Sequence, residues 1–154
     1  MDALKRTGLA ERTGRGIDRI FEGALNYGRP LPDYSKSNGS RVSVLLPRSA
    51  PDKAFVELLA EERERSGKSM SLDGLLILDK LKQERRCGFD VLSDSLDMSN
   101  QRLRTVLGQL TESGLVESAG SGTRRTYTLG AKVYRRSGKM VEYVRQSDID
   151  KVRY

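Results

Sequence analysis

The sequence predicts an α+β protein in which a winged helix-turn-helix follows a partial α/β segment. Apolar residues recur at helical spacing over 72–86 and 100–112, with a short apolar segment between them. The pattern then changes to two short strands, at 115–118 and 125–129, and a glycine-rich turn at 120–123 joins them. This order places an exposed polar helix and a basic hairpin beside one small core, a surface suited to a DNA duplex.

Composition excludes several classes of function. The 154 residues carry a net charge of +7 and include no histidine, which removes the Ser–His and Cys–His catalytic arrangements and the most common metal ligand. No apolar run approaches the ~20 residues of a membrane helix, and the N-terminus lacks the apolar core of a secretory signal. We therefore expect a cytoplasmic, non-enzymatic protein with no cofactor and no membrane partner.

The single cysteine, Cys87, excludes an internal disulfide and fits a reducing compartment. Two environments are open to its thiol. Arg85 and Arg86 beside it can lower its pKa, whereas its place at a helix end beside Phe89 favours partial burial.

Residues 1–48 have the pattern of an α/β segment. The turn at 13–16 contains two glycines and opens an amphipathic helix at 17–27, and residues 41–47 alternate as a strand. The turn is interpreted as a helix cap rather than a phosphate-binding loop, because neither a Walker lysine nor a preceding strand accompanies it. One helix and one strand cannot enclose a core, so this segment needs a partner copy or a further part of a protein.

Residues 49–70 are predicted to form a linker helix. Pro51 suits a first helical turn. An apolar stripe follows, and the charged run 61–65 marks a solvated end; the stripe consists of Phe55, Val56, Leu58 and Leu59. A dimerisation helix is the alternative.

Residues 71–130 contain the winged helix-turn-helix. Its first helix has leucines at every third position from 72 to 81, with Ser71 as the cap and Asp73 suited to the helix dipole. A short second helix is expected at 91–96. The third helix, 100–112, has Ser99 as its cap and a core face of Leu103, Val106, Leu107 and Leu110.

The outer face of the third helix and the wing supply the candidate DNA contacts. Asn and Gln side chains can pair with adenine, Arg with guanine, and a Thr methyl with thymine. The wing arginines and the N-terminus of the third helix suit phosphate. The predicted DNA-binding residues are Ser99, Asn100, Gln101, Arg102, Arg104, Thr105, Gln109, Arg124 and Arg125.

The charge of residues 71–130 restricts this hypothesis, because eight Lys or Arg balance eight Asp or Glu. Positive charge must therefore be segregated, with Arg102, Arg104, Arg124 and Arg125 converging on one side. A protein-interaction or dimerisation module without direct DNA binding is the alternative. Residues 131–154, with seven basic and three acidic residues, are predicted to be a basic helical extension.

Several segments together resemble the prokaryotic transcriptional regulators described as RecG-like or divergent AAA-type proteins. In that family an AlbA-like domain precedes a GHKL-like ATPase-type domain, and winged helices follow. Residues 8–20 are similar to its glycine motif, 27–32 to the turn after it and 41–47 to the closing strand of the GHKL-like domain. The matches to its winged helix and its continuation are 75–78, 106–107, 114–117, 133–135 and 143–146.

The resemblance implies that residues 1–48 are a remnant of the GHKL-like domain and that the chain is a C-terminal fragment. The acidic metal-binding helix and the other nucleotide-contacting loop of such ATPases have no counterpart here. ATP binding is therefore not transferred to Gly14 or Gly16, and it is expected only in a longer parent protein, if at all. The resemblance and the residues together predict a transcriptional regulator that binds double-stranded DNA as a homodimer.

Overall fold

The computed structural model describes residues 15–136. The chain divides into two compact units, Met1–Val56 and Glu57–Tyr154, and each is considered by itself. The glycine motif before Arg15, including the predicted turn at 13–14, lies outside the described residues. So does the predicted basic extension beyond Arg136.

The first unit contains helix α1, Arg15–Asn26, and the beginning of helix α2, Lys53–Ser66. Helix α1 begins earlier than its apolar pattern predicted, so Gly16 lies inside the helix and not in the preceding turn. Gly28 follows α1 with a φ of +65°. A Cβ at this position would lie 2.6 Å from the carbonyl oxygen of Asp52, so only glycine allows the two backbone segments to approach.

The predicted strand at 41–47 is wrong. Only two isolated bridges occur in this region, between Asp33 and Leu45 and between Asn38 and Arg41. Pro32 and Pro47 lie close to the Asp33–Leu45 bridge in the two paired segments. Because proline has no backbone N–H, neither residue can donate a hydrogen bond that would extend the pairing. The alternating apolar pattern therefore leads to an extended segment with no continuous partner strand.

The second unit contains the winged helix. Helix α3, Leu72–Glu84, is followed by strand β1, Arg86–Gly88, and helices α4, Phe89–Leu96, and α5, Asn100–Glu112. Strands β2, Val116–Ala119, and β3, Thr126–Leu129, flank a 3₁₀ turn at Gly122–Arg124, and helix α6, Ala131–Arg136, follows. The order of these elements confirms the predicted winged helix-turn-helix.

The sheet has three antiparallel strands in the order β1-β3-β2. The sequence pattern did not predict strand β1, and it wrongly placed Arg86, the first residue of that strand, in the first helix. Arg85 adopts a positive φ of 64° and ends α3, and the next three residues pair with β3, where Cys87 faces Tyr127.

The core lies between α3, α4, α5 and the sheet. The four residues predicted for the buried face of α5 are all buried. Of the four leucines predicted for the buried face of α3, those at 75, 78 and 81 are buried and Leu72 is half-buried. The fully buried side chains of the second unit are Leu58, Leu75, Ile77, Leu78, Leu81, Leu92, Leu103, Leu115 and Val116. Helical periodicity therefore identified the packing faces of α3 and α5 correctly.

Ion pairs hold α6 against the part of α2 that belongs to the second unit. The Glu62 carboxylate is 7% exposed and accepts from Arg65 Nη2 at 2.7 Å and from Lys132 Nζ. Arg136 Nη2 lies 2.6 Å from Glu61 Oε1. Burial raises the pKa of Glu62, but the hydrogen bonds and charges of Arg65 and Lys132 outweigh burial and hold the pKa below its ordinary value.

Replacing Glu62 with glutamine is expected to lower the free energy of unfolding by about 1–2 kcal/mol at pH 7, since two charge-assisted hydrogen bonds are weakened. The native pKa of Glu62 is lowered, so its stabilising contribution is present above the ordinary value of 4.5 and is lost as pH falls through the native pKa. Urea unfolding of both proteins between pH 3 and 7 measures this difference.

The matched control is Glu64→Gln, which removes the same charge from an exposed position on the same helix. It is expected to change stability by less than about 0.5 kcal/mol. A difference between wild type and Glu62→Gln that stays constant across this pH range would contradict the proposed role of the carboxylate.

Candidate nucleic-acid interface

The turn between α4 and α5 is fixed by local contacts. Asp97 adopts a left-handed conformation at the end of α4, and Met98 is buried beneath the turn. Ser93 Oγ donates to the carbonyl of Met98 at 2.8 Å, and Ser99 Oγ accepts from the backbone N–H of Arg102 at 3.3 Å. The direction in which α5 leaves the turn is therefore determined by the core and by its own cap.

Along α5, the side chains opposite the core face are exposed. Gln101, Thr105 and Gln109 are exposed, and Thr105 Oγ1 donates back to the carbonyl of Gln101 at 3.0 Å. Asn100 Oδ1 lies 3.1 Å from Ser93 Oγ and shares the hydroxyl proton of that serine with the Met98 carbonyl, so this side chain also contacts the turn. The exposed face predicted from periodicity is present, whereas contact between these residues and DNA stays a prediction.

Arg102 is held by an acidic residue of α3. Its Nε and Nη2 donate to the two carboxylate oxygens of Asp73, with Nη2 to Oδ1 at 2.7 Å. The Arg102 side chain is 62% exposed, whereas that of Asp73 is 12% exposed. One edge of the Arg102 guanidinium is therefore bound by Asp73, while much of the side chain stays open to solvent.

Arg104 lies on the other flank of α5. Its guanidinium carbon lies 5.3 Å from the centroid of the Phe89 ring, in a cation–π contact at the start of α4. Arg104 is two positions after Arg102, and two steps of about 100° each place the two side chains about 160° apart around the axis of α5. The two arginines therefore lie on different flanks of α5, each against a different element, and the convergence of all four arginines on one basic ridge stays a prediction.

The wing presents the remaining pair of arginines. Gly120 has a φ of +79°, and a Cβ there would lie 2.8 Å from the carbonyl oxygen of Arg124, so the turn requires glycine. The backbone N–H of Arg125 donates to the carbonyl of Gly122 at 3.3 Å. Arg124 and Arg125 are both exposed at the tip of the hairpin.

Sequence reasoning missed the two residues that engage the helix arginines. Asp73 was interpreted as a favourable charge for the dipole of its own helix, and Phe89 as a neighbour that favours burial of Cys87. The Asp73–Arg102 pair spans 29 residues, and no local pattern signals a contact at that separation. The sequence offered one signal for this contact. Asp73 lies in a first helical turn next to core positions, and a carboxylate that is partly buried there needs a partner.

The cysteine and the potential metal ligands of the described residues form no reactive site. Cys87 is 3% exposed, and burial raises the pKa of its thiol, as does the nearby Glu84 charge. The alternative in which its arginine neighbours activate the thiol is therefore wrong. Across residues 15–136, no group of three His, Cys, Asp or Glu side chains is arranged to hold a metal ion, and no helix is long and apolar enough to cross a membrane.

No protein-family model and no curated protein matches the chain. Among solved structures, the DIP2311 protein from Corynebacterium diphtheriae is similar over 92% of this chain, with a TM-score of 0.59 and 19% sequence identity. This chain spans 28% of the length of that protein. At this level of identity, the similarity concerns the fold alone.

Two MarR structures are similar at lower TM-scores. One is Staphylococcus aureus MarR in complex with salicylate and kanamycin, with 17% sequence identity and a TM-score of 0.40. The aligned region covers 65% of this chain and 69% of the MarR chain. A mutant MarR from E. coli matches 70% of this chain and is covered over 95%, with 12% identity and a TM-score of 0.38. None of these similarities supports a GHKL-like origin for residues 1–48.

Proposed function

We propose that this chain binds double-stranded DNA through its winged helix and acts as part of a transcriptional regulator. The observation that carries the proposal is the exposed polar face of α5, fixed by a capped turn, in the same module as a wing with two exposed arginines. In the proposed complex α5 enters the major groove and the wing follows the phosphates. No catalytic step is proposed.

Within this complex the α5 residues have different roles. Gln101 and Gln109 offer amide groups to base edges, and Thr105 offers a methyl group to thymine. The N-terminus of α5 leaves backbone N–H groups near Ser99 and Asn100 for a phosphate. Arg104, stacked on Phe89, lies at the α4 flank and suits a backbone contact there more than a base contact at the centre of the groove.

Fluorescence anisotropy with a labelled random-sequence duplex of about 30 base pairs tests the proposal. Binding is expected to weaken steeply with salt, with a slope of log K against log salt of about −3 or steeper, because each neutralised phosphate contributes about −0.9. The measurement covers 0.05–0.3 M salt. Absence of binding at the lowest salt would overturn the proposed function.

A protein-interaction role is the second candidate, and one observation in the first unit favours it. Its extended segment leaves Leu45 58% exposed and Leu46 69% exposed, together with the neighbouring Val42 and Val44. Large exposed apolar side chains on an extended segment without a continuous partner strand are typical of a contact site. Homodimerisation through this segment is proposed, and sedimentation of wild type and of a Leu45→Ser/Leu46→Ser variant tests it, since only wild type is expected to form dimers.

A further inference from the structure

We propose that Asp73 is a positioning residue that directs Arg102 toward guanine, and this inference rests on the proposed DNA binding. The pair joins the first turn of α3 to the first turn of α5. No other residue identified as a candidate base contact is held by a charged side chain from a different element of the described chain in this way. Arg102 therefore has a role distinct from that of the wing arginines.

The geometry of the pair determines which donors remain. A guanidinium has two edges that can each bind two acceptors, one formed by Nε and Nη2 and one by Nη1 and Nη2. Asp73 occupies the first edge with both of its oxygens. The second edge points away from Asp73 and presents parallel N–H donors, which match the O6 and N7 acceptors of guanine in the major groove.

The burial of Asp73 fixes the arrangement before DNA binds. Asp73 is largely covered, and it lies in the first turn of a helix, where a negative charge is stabilised by the helix dipole. A carboxylate anchored in this way restricts the long Arg102 side chain. Such preorganisation lowers the entropy lost when the guanidinium is immobilised on a base.

The charge of Asp73 is expected to affect DNA binding in a way that a purely structural contact would not. The Asp73–Arg102 pair carries no net charge, so it contributes little to the attraction of phosphates. Removing only the acidic charge would release a free cation beside the groove. Asp73→Asn is therefore expected to bind random duplexes more tightly and with a steeper salt slope, while it discriminates less between bases.

The experiment begins with selection of preferred duplexes by wild type from a randomised pool. One guanine is expected whose replacement weakens wild-type binding by about fivefold to 100-fold. For Asp73→Asn the same replacement is expected to cost less than about threefold, and affinity for random duplex at 0.1 M salt is expected to rise by up to about eightfold. Asp73→Glu, which keeps the carboxylate, is expected to retain part of the guanine preference.

The matched control is Asp90→Asn, which removes the same charge from an exposed position in the first turn of α4. It is expected to leave the guanine preference unchanged, and urea unfolding verifies that each variant is folded. An unchanged preference in Asp73→Asn, or a uniform loss of affinity for all duplexes, would overturn the inference while the proposed function stands. A wild type that binds no duplex would overturn both.

Discussion

Replacing Gly130 with alanine is expected to destabilise the winged module by about 2–3 kcal/mol or more. A Cβ at this position would lie 2.2 Å from the carbonyl oxygen of Gly114 and 3.1 Å from its carbonyl carbon. Both are backbone atoms, so no side chain can rotate away to make room. The backbone N–H of Gly130 also donates to the carbonyl of Leu115 at 2.8 Å, which keeps the segments together.

The position has a structural consequence for the proposed interface. Gly114 follows the end of α5, and Gly130 follows β3, so their close approach joins α5 to the sheet that carries the wing. A substitution that separates them is expected to change the angle between α5 and the hairpin as well as stability. Urea unfolding at pH 7 measures the loss of stability directly.

Gly108→Ala is the matched control, because Gly108 is exposed in the middle of α5 and a Cβ there meets nothing within 4 Å. The same substitution is expected to stabilise the protein by about 1 kcal/mol through helix propensity. The two variants therefore differ in sign. A Gly130→Ala protein as stable as wild type would show that the two backbone segments are further apart than the structure has them.

Some elements of this fold are determined by local pattern, and these were predictable. The core face of α5 repeats at helical spacing over a whole helix, and Ser71 and Ser99 each cap the helix that follows them. Strand β1 has no such pattern, since three residues are too few to show a period. It forms because β3 offers it an edge, which is a tertiary effect.

In the first unit, a strand was predicted that the structure does not contain. Residues 41–47 have the alternation of a strand, but alternation predicts only which side chains share a face, and a strand also requires a neighbour with free donors and acceptors. The structure supplies two isolated bridges, at Arg41 and Leu45, and leaves the neighbouring apolar side chains exposed. The pattern therefore predicted the extended conformation but not its pairing.

The candidate site was predictable in its exposure and not in its contacts. Helical counting separates the outer face of α5 from its core face, and the glycines of the wing indicate a tight, exposed turn. Which partner each arginine has depends on how α3 and α4 pack against α5. The engagement of Arg102 by Asp73 and of Arg104 by Phe89 therefore became visible only in the structure.

Replacing both wing arginines, Arg124→Ala/Arg125→Ala, is expected to weaken binding to every duplex by about 60-fold at 0.1 M salt. This value follows if each arginine neutralises one phosphate, since two phosphates contribute about −1.8 to the slope of log K against log salt. Phosphate contacts carry no sequence information, so the loss is expected to be equal for preferred and random duplexes. Anisotropy titrations of both duplexes at several salt concentrations measure the slope and the affinity together.

The control for this variant removes two positive charges elsewhere in the second unit. Arg63→Ala/Lys68→Ala changes exposed residues in α2 and in the turn after it, and it lowers net charge by the same amount. If the wing contacts phosphate directly, only the wing variant loses about two units of slope. If DNA is attracted only by the net positive charge of the chain, the two variants weaken binding to a similar extent. That result would contradict direct phosphate contacts by the wing.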